Sequence, residues 1–275
     1  MKNYLLLILS LTLTSCILFE KDEDEINESE FVGDVILETQ QEIDDFGANN
    51  YTSIIGKLEI GNLFESNSSV KNLNSLKSLT SVSKNLFIVN NDSLKNINGL
   101  SNLTSIGLYL SINHNMSLQT LDGLNKLNYV GATLQVKKND KLENIDGFMN
   151  LNIVGENIML TENLNLKNIE GMKNVTTFNG SLHVAKNPSL TSLQGVNNIT
   201  SVYHLMIGHN TLITNLDALD NIKTIDAEGR IDVLNNANLM DLCGIKSIVS
   251  PDNYVIAKNQ YNPTYQNFVD NNCSQ

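Results

Sequence analysis

Three acids recur at one spacing. Asp122, Asp146 and Glu170 stand 24 residues apart, with Gln194 and Asp217 beyond them. If each belonged to one coil of a stack, they would form a column of like charges. The chemistry open to such a column is Ca²⁺ binding, because a hard cation wants oxygen ligands. Each of the three also precedes a glycine (Gly123, Gly147, Gly171). The competing and stronger expectation is therefore that each acid bonds its own turn. Other chemistry is thin. His114, His183, His204 and His209 are the only histidines. His183 and His204 fall on adjacent coils but in different columns, and no acid or Cys joins them at zinc-ligand spacing. No Ser/His/Asp set converges and no Gly-rich phosphate loop appears. The expected site list holds no catalytic residue, no firm metal ligand and no cofactor.

The acids share their spacing with the whole chain. Asn91, Asn115, Asn139, Asn163 and Asn187 are each 24 residues apart; Asn210 follows after 23 and Asn236 after 26. Asn67 and Asn259 extend the series at either end. A fixed period of this size is the signature of a solenoid. Within each copy two apolar regimes alternate. The first is a pair at period two, as in Leu86/Ile88, Leu110/Ile112, Leu134/Val136, Ile158/Leu160, Leu182/Val184, Leu205/Ile207 and Ile231/Val233. That is a short strand with one face inward. The second is a run at period three, such as Leu94, Ile97, Leu100, Leu103 and Ile106. It fits neither helix nor long strand, but fits a backbone that keeps turning. Gly99, Gly123, Gly147, Gly171, Gly195 and Gly244 precede one inward residue, where positive φ is expected. Ala218 interrupts them and should mark an altered turn. The inward Asn can donate and accept between coils, so it is read as a fold device. Stacked at strand spacing, eight or nine coils reach roughly 40 Å.

The ends differ. Val35-Ile36-Leu37 reads as a strand, and Thr39 with Glu42 as a capping box opening a helix that carries Ile43 and Phe46 on one face. Asn262 and Pro263 are expected to cap and open a terminal helix with Phe268 and Val269 packing down. The predicted organisation is 1–16 leader, 17–30 linker and 31–275 one domain: 31–57 cap, 58–249 coils, 250–275 cap.

Lys2, the apolar run Leu5–Leu13 and Leu13-Thr14-Ser15-Cys16 resemble a bacterial lipoprotein signal. The resemblance implies a lipid on Cys16, export, and attachment to the outer membrane without a spanning helix. The linker carries seven acids against Lys21, half of the formal charge of −12. It reads as a solvated leash. Acids soon after such a Cys also resemble the surface-export signals of Bacteroidota lipoproteins, implying a chain that faces outward. The acidic balance and lack of Lys/Arg clusters argue against nucleic acid as a partner. With Cys16 assigned, Cys243 and Cys273 are predicted to pair, since disulfides persist outside the cytoplasm.

Leu182-His183-Val184-Ala185-Lys186-Asn187 resembles a leucine-rich repeat, although most copies then read Asn-x-x-Leu. Leu121-Asp122-Gly123-Leu124-Asn125-Lys126-Leu127 and Leu100-Ser101-Asn102-Leu103-Thr104-Ser105-Ile106-Gly107 are similar to the receptor L-domain family, over about residues 33–275. That resemblance implies a mainly β, right-handed parallel β-solenoid with short N- and C-terminal caps. It implies no particular ligand. The outward residues of the strands are Glu59, Phe87, Ser111, Gln135, Met159, His183, Met206 and Asp232, flanked by Tyr109 and Tyr203. A largely uncharged face with Phe, Met and Tyr suits a protein or glycan. Lys138, Glu162 and Lys186 form an alternating-sign column read as an aid to register. Asp92-Ser93-Leu94 resembles a Bacteroidota O-glycosylation motif. The expected function is non-catalytic binding or adhesion; a structural envelope role stands second and action on polysaccharide last.

Overall fold

The computed structural model describes residues 28–64 and 68–275. Cys16, most of the acidic linker and Asn67 lie outside the described residues. The chain is a parallel β-solenoid. Among the described residues a ten-stranded parallel sheet runs from Val35–Leu37 through every coil to Tyr254–Ala257. Register is kept residue for residue: Leu134 stands between Leu110 and Ile158, and Val136 between Ile112 and Leu160. Both paired residues are buried in every strand but the last, where Tyr254 and Ile256 are partly buried, so the period-two pattern points inward as expected.

The period-three run contains more than turns. In one coil Leu118 and Leu121 lead into a 3₁₀ helix, Asp122–Leu124, and then a two-residue strand, Tyr129–Val130. Such strands build a second parallel sheet, seven-stranded, from Glu30–Val32 to Thr177–Phe178. Ser201–Val202 and Thr224–Ile225 pair separately. A typical coil thus has strands on two sides and a 3₁₀ turn on the third. Leu94, Ile97, Leu100, Leu103 and Ile106 are all fully buried at its centre. Glu30, read as the end of the linker, pairs with Ser53, and Thr52 N–H donates to Ser29 O.

The Asn column is the central polar feature. Seven of its members, Asn91 to Asn236, are 0% exposed. Asn115 is typical. Its Nδ2 donates to Ile88 O of the previous coil, to Asn113 O of its own, and to Asn139 Oδ1 of the next. Its backbone N–H donates to the same Oδ1 at 3.1 Å. The residue before each ladder Asn is left-handed: Asn90, His114, Lys138, Glu162, Lys186, His209, Asn235 and Lys258 have φ of 53–59°. That conformation costs a side-chain-bearing residue about 1–2 kcal/mol. The corner it makes is what aims each Asn inward, so the ladder's bonds offset a strain repeated in every coil.

The glycines answer a different need from the one expected. Of Gly99, Gly123, Gly147, Gly171, Gly195 and Gly244, only Gly195 has positive φ. The others are required by close approach: a Cβ on Gly123 would lie 1.9 Å from Ile97 O of the preceding coil. Ala218 sits in an ordinary 3₁₀ helix, Asp217–Leu219. The altered turn is one coil earlier, at Gly195, where no 3₁₀ helix forms and φ reaches 119°. Each 3₁₀ turn is opened two residues upstream by a side chain that accepts from the backbone, as Thr120 does from Asp122 N and Asn144 from Asp146 N.

Both ends are closed. Thr39 and Glu42 form the capping box of the helix Gln40–Gly47, with Ile43 buried. Burial would raise the Glu42 carboxyl's pKa, but the Glu38 and Thr39 N–H donors bring it net below its ordinary value. At the other end the expected cap is displaced. Thr264, not Asn262, caps the helix Tyr265–Val269, paired with Asn267. Asn262 instead ends the ladder, its Oδ1 accepting from Asn259 N and Nδ2 at 3.0 and 3.1 Å. Phe268 is buried while Val269 is 52% exposed.

Cys243 and Cys273 are bonded, 30 residues apart in sequence. Leu242 N–H donates to Cys273 O, so the bridge fastens the tail to the last 3₁₀ turn. Replacing both with Ser should lower unfolding free energy by about 3 kcal/mol in a urea titration, as expected for releasing a loop of this length.

Candidate functional site

The outer face of the ten-stranded sheet carries the expected residues in strict register. Glu59, Phe87, Ser111, Gln135, Met159, His183, Met206 and Asp232 pair in order, strand to strand. The column is not uniformly open. Phe87, Gln135, Met159, His183 and Met206 are half-buried, Tyr109 is 43% exposed, and Ser111 is buried at 6%. Glu59 is buried too, held by Lys57 at 2.9 Å. A shallow depression joins Phe87, Tyr109, Ser111, Gln135 and Met159. His183 and Met206 continue the face beyond it.

Polar groups on this face interlock. Asn113 Nδ2 donates to Ser111 Oγ at 2.8 Å and to Gln135 Oε1 at 2.7 Å. Gln135 Nε2 points at Met159 Sδ, 3.7 Å away. Asn113 Oδ1, by contrast, is buried and has no hydrogen-bond partner. One coil past Met159, His183 Nε2 is also buried and unpartnered. A buried polar atom left unsatisfied costs about 1–3 kcal/mol. Only one further such atom, Ser53 Oγ, occurs among the described residues. Two of the three unsatisfied atoms therefore lie on the face that the outward residues define.

His183 and His204 do meet, although they occupy different columns. Their rings are edge to face at 5.2 Å. His204 Nε2 is 3.1 Å from Asp232 Oδ2, and Arg230 donates to Asp232 Oδ1 at 2.8 Å. Burial, then the neighbouring His204, push the His183 imidazole's pKa down, opposed by Asp232. Its uncharged form is favoured.

Asp122, Asp146 and Glu170 stack as expected, each opening a 3₁₀ turn. No group of three His, Cys, Asp or Glu among the described residues could hold a metal ion. Neither do the acids bond their own turns by side chain; Thr120, Asn144 and Asn168 do that work. Burial, then the charges of Asp122 and Glu170, raise the Asp146 carboxyl's pKa. A raised carboxyl favours folding below its unfolded pKa, and that advantage is lost as pH rises through the folded value. Asp146→Asn should therefore raise the melting temperature at pH 7 by about 1–3 °C, with the gain vanishing near pH 3. An unchanged or lower Tm at pH 7 would refute the repulsion.

Several contacts were not anticipated from the sequence. Asn102, Asn150, Asn174, Asn198 and Asn221 form a second, exposed ladder, each Nδ2 donating to a carbonyl of the previous coil. Their spacing, interrupted only by Lys126 between Asn102 and Asn150, was the available signal. Asn113, beside the strand pair, carried none. No helix among the described residues is long and apolar enough to cross a membrane. Together these features define a parallel β-solenoid stacked on an Asn ladder, with a side-chain-lined sheet face. No protein-family model matches the chain, and no curated protein or solved structure matches it.

Proposed function

We propose that the chain is a non-catalytic binding or adhesion module that recognises a protein or glycan through the outer face of its ten-stranded sheet. It would work at the cell surface, held to the outer membrane by lipid on Cys16, and its repeat belongs with the receptor L-domain pattern. The observation that carries this reading is the run of apolar side chains along one sheet face: Phe87, Tyr109 and Met159 line one depression, and Met206 continues the column past His183. Aromatic and Met side chains supply the apolar contact typical of an interface core.

The face is tested by changing Phe87, Met159 and Met206 together to Ser. Binding to the partner found by glycan array or pull-down should be lost while the cooperative thermal unfolding of the domain is kept, because all three point outward from the core. Binding that survives the triple change removes this face. Cys16→Ser should move the chain from the membrane fraction to the soluble one; a variant that stays in the membrane fraction refutes the anchor.

A further inference from the structure

The second sheet has a seam. It runs unbroken from Glu30–Val32 to Thr177–Phe178, but the next minor strand, Ser201–Val202, pairs only forward, with Thr224–Ile225. The cause lies in the connection to the ten-stranded sheet. Leu182 is in register with Leu205. The residues Asn179-Gly180-Ser181, between Phe178 and Leu182, are therefore answered in the next coil only by Tyr203-His204, between Val202 and Leu205. The connection is one residue short, and the two minor strands do not pair. The segment before the seam is loosened on its other side too. Gly107, Gly131 and Gly155 N–H donate to Val82 O, Ile106 O and Val130 O of the coil behind; Leu108, Ala132 and Glu156 N–H donate to Lys84 O, Leu108 O and Ala132 O. The equivalent N–H groups of Asn179 and Gly180 donate to nothing among the described residues.

We propose that Asn179 is a self-modifying site, which deamidates through a succinimide, while the chain's other Asn-Gly pair, Asn98-Gly99, is held intact by its turn. The inference is independent of the binding role proposed above. Gly180 N attacks Asn179 Cγ, and its proton passes through solvent to the side-chain nitrogen, which leaves as ammonia. One water then opens the ring at either carbonyl and leaves Asp or isoaspartate at 179. No oxidation or reduction is involved. A following glycine favours the attack because no Cβ obstructs it. Ring closure also needs the intervening peptide to rotate away from helical or extended ψ. At 98 that rotation is opposed. The peptide lies in the 3₁₀ helix Asn98–Leu100, where Leu100 N–H donates to Ile97 O and Ser101 N–H to Asn98 O. At 179 nothing opposes it: neither Asn179 O nor Gly180 N–H is hydrogen-bonded among the described residues. Both Asn side chains are exposed, so the backbone bonds and not exposure separate the two. The carboxylate formed would join Asp226, which lines the same shallow cleft as Asn179.

The test is to age the folded chain in mildly alkaline buffer and digest it for peptide mass spectrometry. The peptide holding Asn179 should gain one dalton with time and separate by chromatography into Asp and isoaspartate forms. The Asn98 peptide should change at least about tenfold more slowly, because its reaction waits on opening of the turn. Asn179→Gln should abolish the fast change and leave the slow one. In guanidinium the two peptides should react alike, since both carry Asn-Gly. A folded chain in which Asn179 stays intact, or in which Asn98 keeps pace with it, overturns the proposal. So does a fast mass gain that persists in Asn179→Gln. A denatured chain that preserves the native difference overturns it as well, for the cause would then be local sequence and not the fold.

Discussion

Asn163→Ala will lower unfolding free energy by about 3–5 kcal/mol, and Tm by about 10 °C. The side chain donates to Val136 O, Thr161 O and Asn187 Oδ1. Its Oδ1 accepts from the backbone N–H and Nδ2 of Asn139. Truncation leaves that buried N–H without its acceptor and takes a donor from Val136 O and from Thr161 O, of which Thr161 O keeps the Lys138 N–H. Each orphan costs about 1–3 kcal/mol, and a void in a fully buried site adds to it. Asn163→Asp should be worse, because a second oxygen would face Val136 O where an N–H is needed. Asn262→Ala, at the exposed end of the ladder, should cost only about 1 kcal/mol. Urea titrations of the three variants decide the matter. A loss below 1 kcal/mol for Asn163→Ala would mean that the ladder does not hold the stack.

Gly147→Ala will destabilise by about 3 kcal/mol or more, although glycine to alanine ordinarily gains stability where φ is compatible. A Cβ there would lie 1.9 Å from Leu121 O and 2.4 Å from its carbonyl carbon. Both are backbone atoms of the adjacent coil, so the two coils must part. Gly208→Ala is the control. Its Cβ meets nothing nearer than Leu234 O at 3.3 Å, and its effect should stay within about 1 kcal/mol. Thermal melts that cannot distinguish Gly147→Ala from Gly208→Ala would refute the close-approach account. Ala218 shows the condition under which a methyl is accepted. The coil preceding it replaces the 3₁₀ turn with a positive-φ bend at Gly195.

The difference between the two glycine accounts illustrates where sequence reading stopped. The recurrence of Gly123 and Gly147 was plain, but its cause was misplaced. Positive φ is a property of one residue and can be guessed from one residue. The observed cause is the distance from Gly147 to Leu121 O, which exists only once coils are stacked. Asn262 failed for the same reason. Beside Pro263 it reads as a helix cap, and only the position of Asn259 above it shows that it closes the ladder. Thr264, two residues on, took the cap because its hydroxyl and Asn267 answer each other locally.

The candidate face was legible as a column and not as a site. Phe87 to Asp232 followed from period two and a constant coil length, and the register bears this out. The depth of Ser111 did not follow, nor the unpartnered atoms of Asn113 and His183, nor the contact of His183 with His204. Those depend on how side chains lean from one column to the next.

By itself, the sequence determined the repeat, the inward aliphatics, the Asn ladder, the first cap and the pairing of Cys243 with Cys273. Each is repeated along the chain or set by a few neighbouring residues, apart from the disulfide, which followed from the cysteine count and the expectation of export. The tertiary structure alone decided that the minor strands form a second sheet. It alone placed Lys137, Lys138 and Lys186 around Glu162, and left two buried atoms on the same face without partners. These are diagonal contacts between coils. A period aligns residues along a column, but the approach of one column to its neighbour is set by side-chain torsions and backbone distances that no spacing in the chain encodes.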